Sequence, residues 1–383
     1  MKKLMLVPVL ILIFSVFAFC ADKTTLDITQ VGMGARPIAL GAYTGLADDA
    51  SAVFTNPGGI GLQDRISFVS MSTQILQTVD YQVASVVYPT EYGNFGVGYV
   101  NATTPAGMHT YFAADGTTEV DGGSMFYSNS MYILSYGTDI SSFVADRFYI
   151  DGFNPKVGFG ANAKFITEGL SGSIKNAPSA SGYSVDLGLL ADINDSLRVG
   201  ATLQNAISSV GWSTNLSENL QQSLKVGASY KLLSNLTLLA DADFNQNEQA
   251  GLSGGVEWNA VQMLSLRAGF AQREESIDDD TTAVNTNYTL GVGLTLGDFR
   301  FDYSYKYDAN FTQFSSHYFS ICFIGDEPAK QEKAKENTVA KDDTQPKDEP
   351  SVVVKDQASN SDQSILDQYT QMIDKDEKVS AAK

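Results

Sequence analysis

The sequence predicts an all-β chain: a transmembrane antiparallel β-barrel of about fourteen strands, with an N-terminal periplasmic plug, or hatch, and a disordered C-terminal tail. Three observations carry that expectation. Apolar residues recur with a period of two, not about 3.6, through the middle of the chain. The alternating stretches are mostly 9–13 residues long and even in number, and a tilted strand needs roughly 9–11 residues to cross a bilayer. Finally, the chain opens on an export signal and closes on a charged segment with almost no aromatic residues.

Residues 1–21 read as a secretory signal peptide. Lys2 and Lys3 precede an apolar run from Leu4 to Phe19, which ends at Cys20-Ala21-Asp22. Cleavage after Cys20 or Ala21 and lipidation of Cys20 both remain open. With either cleavage only Cys322 survives, so no intramolecular disulfide forms. After the signal no run of about 18 apolar residues occurs, which excludes helical membrane spans.

Residues 22–64 are rich in Gly and Ala and poor material for a helix or a strand, because glycine loses the most freedom on ordering and proline removes a donor. A barrel of fourteen strands explains such a segment. Eight strands are filled by their own side chains and about sixteen leave a water channel, so a fourteen-stranded lumen needs a stopper. The segment is attached to the first strand on the periplasmic side.

The barrel occupies residues 65–325. Alternation is plainest at Phe299, Phe301, Tyr303, Tyr305 and Tyr307, which interleave with Arg300, Asp302, Ser304, Lys306 and Asp308. Strands are expected at 65–76, 80–90, 93–103, 125–138, 155–168, 181–193, 196–206, 222–233, 236–245, 251–261, 264–273, 287–297, 299–308 and 317–325. Tight joins such as Glu91-Tyr92, Ser234-Asn235 and Gly297-Asp298 nearly alternate with longer loops at 104–124, 169–180, 207–221, 274–286 and 309–316. That is the pattern of a barrel with turns on one rim and loops on the other. Two connections break it: 77–79 is short where a loop is due, and 139–154 is long where a turn is due. A soluble sandwich or propeller also alternates. Against it stand the long strands and the charged residues Lys164, Arg198, Lys225, Asp241, Glu257, Arg267, Arg300 and Asp302 on one strand face.

Residues 326–383 carry 14 acidic and 9 basic residues and one aromatic, Tyr369, too little to bury a core. An even strand count leaves this tail in the periplasm. Ile365, Leu366, Tyr369, Met372 and Ile373 recur at helical spacing and offer a docking stretch for a periplasmic or secreted protein. The formal charge of −19 argues against nucleic acid as a partner.

The stretch holding Gly34-Ala35-Arg36-Pro37, Gly41-Ala42-Tyr43, Ala47-Asp48-Asp49-Ala50 and Asn56-Pro57-Gly58-Gly59 resembles the N-terminal signature of the PorV-like outer-membrane proteins. These share one superfamily of fourteen-stranded barrels with the long-chain fatty acid transporter FadL. Gly58 departs from the usual pattern, which continues Asn-Pro-Ala. The resemblance implies the outer membrane of a diderm bacterium, a surround of outer-membrane lipid and binding or passage of a fatty-acid-like hydrophobic small molecule. The PorV branch implies instead a structural or secretion-associated component with no small-molecule traffic.

Gly34, Arg36, Pro37, Gly41, Asp48, Asp49, Asn56 and Pro57 build the hatch, with Asp48 or Asp49 as the bidentate partner of Arg36. Lumenal Arg198, Asp241, Arg267, Arg300 and Asp302 are expected to pin it to the wall. Met108, Tyr111 and Phe112 form a candidate apolar landing site in the 104–124 loop. The lumen faces read as mostly Gly, Ser, Thr, Asp, Lys and Arg, wetter than a fatty-acid tunnel. His109 and His317 are the only histidines and lack ligand spacing, and no nucleophile elbow or phosphate loop occurs, so neither catalysis, metal nor cofactor is expected.

Overall fold

A computed structural model describes residues 23–25, 28–75, 77–147, 155–172, 177–245, 249–278, 281–308 and 315–325. The signal and tail expectations lie outside the described residues. Fourteen strands form one wall: β1 Ser67–Ile75, β2 Val79–Thr90, β3 Gly93–Phe112, β4 Glu119–Asp139, β5 Lys156–Gly172, β6 Ser179–Asp192 and β7 Leu197–Trp212, then β8 Ser223–Leu233, β9 Leu236–Asn245, β10 Gly251–Val261, β11 Leu264–Asp278, β12 Thr281–Leu296, β13 Phe299–Asp308 and β14 Ser316–Ile324. Each pairs antiparallel with the next. The ladder closes where β14 meets β1, with Phe319 opposite Ser72 and Ile324 opposite Ser67. Closure leaves no free edge.

Both ends of the wall meet at one rim, where Gly325 N donates to Ile66 O at 2.9 Å. The tight turns at 91–92, 193–196, 234–235, 262–263 and 297–298 share this rim. Its exception is the β4–β5 connection, which carries the helix α3, Ser141–Arg147, with Phe143 exposed. The turn after β1 stays short, so both irregular connections belong to the molecule.

Two of the expected loops are mostly strand. Residues 104–112 and 119–124 continue β3 and β4, leaving 113–118 as the turn, because Thr, Tyr, Phe and Val suit a pleated ladder. Likewise β11 runs to Asp278 and β12 begins at Thr281, where Thr281, Thr282 and Val284 extend the pairing in place of the expected 274–286 loop. The 207–221 connection holds the end of β7 and a short strand, Ser217–Leu220, which pairs in parallel with Lys23–Thr25.

The outer face is apolar. Val97, Leu134, Leu290 and Phe319 are 52–63% exposed although they sit mid-strand. Burial stabilises apolar area by about 25 cal/mol per Å², so a belt of such side chains demands a covering phase. Lipid supplies it. The inner face splits in two. Strands β5–β13 turn charges inward as expected, beginning with the buried pair Lys164–Asp186, whereas β1–β4 turn Val69, Met71, Val83, Val87, Val100, Met131 and Ile133 inward, all at most 2% exposed. The expectation of lumen faces that are mostly Gly, Ser, Thr, Asp, Lys and Arg therefore holds for the charged strands and not for β1–β4. Alternation survives on β1–β4, but both faces are apolar, and period alone cannot tell such faces apart.

The apolar half of the lumen receives the N-terminal segment. Ile28 and Met33 pack in one cluster with Tyr81, Val210 and Leu220, and Tyr81 donates its hydroxyl proton to Ile28 O at 2.9 Å. The chain then forms α1, Ala35–Leu40, and α2, Ala52–Thr55, followed by a tight turn over Pro57–Leu62.

This segment lies against inward glycines of the wall. A methyl group added at Gly160 would stand 2.0 Å from Pro57 O, at Gly255 2.0 Å from Leu40 O, at Gly200 2.2 Å from Thr44 O and at Gly291 2.4 Å from the Ala39 Cβ. Gly137, Gly160 and Gly188 sit side by side on three neighbouring strands. Replacing Gly160 by Val should cost about 1–3 kcal/mol of overpacking and displace the hatch, not the wall. The check is protease cleavage within 35–62 in a protein that keeps heat-modifiable migration; an intact hatch would refute it.

Candidate functional site

The hatch is seated by hydrogen bonds from almost every side. Ser85 Oγ donates to Ala50 O at 2.8 Å, Asn94 Nδ2 to Ile60 O at 2.6 Å and Asn162 Nδ2 to Val53 O at 2.9 Å. Ser229 Oγ donates to Gly45 O and Thr289 Oγ1 to Ala39 O, each at 2.9 Å. The Ser320 hydroxyl accepts from Ala35 N at 3.1 Å. A buried backbone without secondary-structure partners must find them elsewhere, and the wall supplies them.

Arg36 is the centre of the charged half. It is 7% exposed. Nε donates to Glu257 Oε1 at 2.9 Å and Nη2 to Oε2 at 2.8 Å, while Nη1 meets Asp48 Oδ1 at 2.6 Å. Glu257 also accepts from Arg267 Nε at 2.7 Å, and Arg267 Nη1 reaches Asp302 Oδ1 at 2.6 Å. Arg300 joins Asp302 to Asp49, both at 2.7 Å, and Asp49 Oδ2 returns to Arg36 at 3.5 Å. Six residues thus close a ring of three arginines and three carboxylates, and Asp48 joins it at Arg36 as a seventh member. Every side chain in it is at most 13% exposed except Asp48, at 35%. Tyr43 packs its ring 5.7 Å from the Arg36 guanidinium and donates to Asp48 Oδ1 at 2.8 Å.

The other expected site residues fall as follows. Asp241 Oδ2 accepts from the Tyr43 and Thr44 amides at 2.8 and 2.9 Å. Arg198 pairs with Asp192 and donates through Nη1 to Leu46 O at 2.8 Å. Asn56 is fully buried; its amide donates to Thr44 O and Leu189 O, both at 2.9 Å, and its carbonyl accepts from Gly58 N. Pro57 opens the tight turn that follows. Pro37 lies inside α1, and Gly34 and Gly41 bracket that helix at φ +109° and +68°. At Gly41 a side chain is barred twice, by that φ and by Phe270 O 2.5 Å from where Cβ would stand. Met108, Tyr111 and Phe112 stand on the far end of β3, half or more exposed, on a strand and not in a loop.

One feature escaped the sequence reading: Glu257 was placed on the lumen face but not as the bidentate partner of Arg36. Gly160 and Gly291, read from the sequence as strand glycines that admit close packing or lumen space, stand against the hatch.

Above the hatch a chamber of about 230 Å³ opens between the segment and the charged wall. Met33, Ile38 and Phe54 form its hatch side; Lys225, Asp243, Arg273 and Lys306 stand on the barrel side.

No family model and no curated protein matches the chain. Solved structures do. The chain is similar to the toluene transporter TodX of P. putida, with 13% identity over 77% of this chain and 98% of that one, at a TM-score of 0.51. It is also similar to the toluene transporter TbuX of Ralstonia pickettii (15% identity, 76% and 97% covered, TM-score 0.46) and to a Pseudomonas aeruginosa FadL homologue (11% identity, 77% and 98% covered, TM-score 0.45). At 13% identity the likeness to TodX is one of fold.

Removing one partner of a buried ion pair costs about 3–5 kcal/mol. Glu257→Gln should therefore loosen the hatch by that order, and Arg36→Ala combined with Glu257→Gln should cost much less than the two added; additive losses in a denaturant double-mutant cycle would refute the pairing. Burial alone would raise the Asp48 and Asp49 carboxyls. The Arg36 and Arg300 guanidinium groups, respectively, outweigh it and hold both below the usual range. Depressed carboxyls contribute stability that is complete above about pH 4 and lost as pH falls through their lower folded values. Protease protection of the hatch should be flat from about pH 8 to 5 and fall only in stronger acid; loss near neutrality would contradict the ring.

Proposed function

We propose that the chain is an outer-membrane barrel that binds hydrophobic small molecules, fatty-acid-like in character, or passes them across the outer membrane of a diderm bacterium. One observation carries this reading: the lumen is closed by a segment of the same chain whose charged side is seated through polar contacts, with a chamber beside it. Polar contacts have water as an alternative partner, so a seat made of them separates at lower cost than an apolar core does. The fold likeness to a toluene transporter supports the same reading. Lipid around the apolar belt is the implied surround.

A second reading, a PorV-like structural or secretion-associated component, is favoured by one fact. Arg36, Asp48, Asp49 and Asn56 of the hatch signature are all spent on seating the hatch. The tail, residues 326–383, then provides the attachment for a periplasmic or secreted protein.

Cells carrying the chain in their outer membrane should take up a hydrophobic probe such as octanoate or toluene several-fold faster than cells without it, and Arg36→Ala should raise that rate further. Equal uptake by all three, together with a secreted protein that co-purifies with the barrel, would remove the first reading in favour of the second.

A further inference from the structure

We infer that the outer face of the barrel seats one phospholipid of the periplasmic leaflet, in a groove at the seam where β14 meets β1. The inference goes beyond the passage reading and does not depend on whether anything crosses the lumen.

The groove comes from a step in side-chain size. Two adjacent outward rows cross the last strands. Leu294, Phe301, Ile321 and Ser70 form one, and Val292, Tyr303, Phe319 and Ser72 form the next. Each row runs through three bulky side chains and ends on a serine of β1. The following strand restores no height beside Ser70, because Ala84 stands opposite it. The large aliphatic and Phe members of the rows are 40–60% exposed, and the recess beside them measures about 550 Å³. That volume lies inside the range of roughly 300–1,000 Å³ typical of ligand pockets.

Depth selects the leaflet. Both ends of the wall meet at the rim of short turns, which is periplasmic in such barrels. Ser70 and Ser72 follow the start of β1 at Ser67 by three and five residues. A rise of about 3.3 Å per residue and a tilt of about 40° put them within about 13 Å of that rim. The hydrocarbon core is about 30 Å thick, so the groove lies in its periplasmic half.

Continuity and charge select the occupant. The groove is part of the lipid-facing belt, and an acyl chain lying in it recovers the dispersion contacts that the step forfeits. The phosphate of the same molecule then lies at the rim, where Arg65 stands at the foot of β1. The Arg65 side chain is 53% exposed, and its one ion pair, to Asp64 at 3.8 Å, is exposed on both sides. Such a pair holds little, so the guanidinium fork is available to a phosphate. Asp64 and Asp298, exposed at the same rim, suit an ammonium joined to that phosphate, which makes phosphatidylethanolamine the probe of choice.

The test titrates the full chain in mild detergent with dioleoyl phosphatidylethanolamine or dioleoylglycerol and counts bound lipid by native mass spectrometry. The phospholipid should bind as one tight copy per barrel, at least fivefold tighter than the diacylglycerol. Ser70→Phe with Ser72→Phe fills the groove and should remove that copy, with barrel closure verified by heat-modifiable migration. Arg65→Gln, a change at the exposed rim, should bring the phospholipid down to the diacylglycerol level. Unchanged occupancy in the filled variant overturns the inference, since the lipid is then an ordinary annular one. Equal binding of the two lipids by the unaltered chain overturns it as well. So does a barrel dimer that the filled variant dissociates, because a second copy then occupies the seam.

Discussion

Closing fourteen strands creates a problem that side chains alone do not solve. The lumen is wider than an eight-stranded barrel can fill from its own wall and narrower than an open pore. A stretch of backbone must enter it, and every amide and carbonyl of that stretch then needs a partner. The rest of the interior follows from meeting that demand. Wall glycines bring the hatch backbone within contact distance, and wall Ser, Asn and Thr side chains take up its polar groups. Neither device works without the other. A side chain at Gly160 or Gly255 would hold the backbone too far out for its bonds to form.

The charge ring solves a related problem of specificity. Burying Arg36 is costly unless its donors are paired, and the pairing must not depend on one contact alone. Sharing four carboxylates among three arginines spreads the demand over hatch and wall, so that the hatch has one favoured height and rotation. The ring is also closed, each carboxylate touching arginine on one or two sides. Only Asp48 reaches solvent to any extent. Water therefore has a single foothold from which to compete for the seat.

How much of this was legible before the structure depends on the length scale of the signal. Strand number and parity come from local alternation. Phe299–Asp308 announces itself because its two faces differ in chemistry. The inner face of β1–β4 was misjudged for the opposite reason: Val69, Met71, Val83 and Val87 alternate with outward residues that are also largely apolar or small. The long β3–β4 hairpin was missed because Thr, Gly and Asp suggest a loop, while cross-strand pairing, which no local window contains, extends the ladder. Arg36 with Asp48 was readable, since both lie in one motif. Arg36 with Glu257 joins residues 221 apart in the sequence and waits on register.

The two halves of the lumen divide the labour. The apolar half, β1–β4, holds Ile28, Met33, Ala50, Val53, Phe54 and Ile60 by the same burial that builds any core. The charged half, β5–β13, meets the hatch through ion pairs and bonds that water can replace. The chamber lies on this second side. A movement that opened a path would therefore begin along the charged half, with the apolar half serving as the hinge side. The chamber itself is polar on its barrel side and apolar on its hatch side.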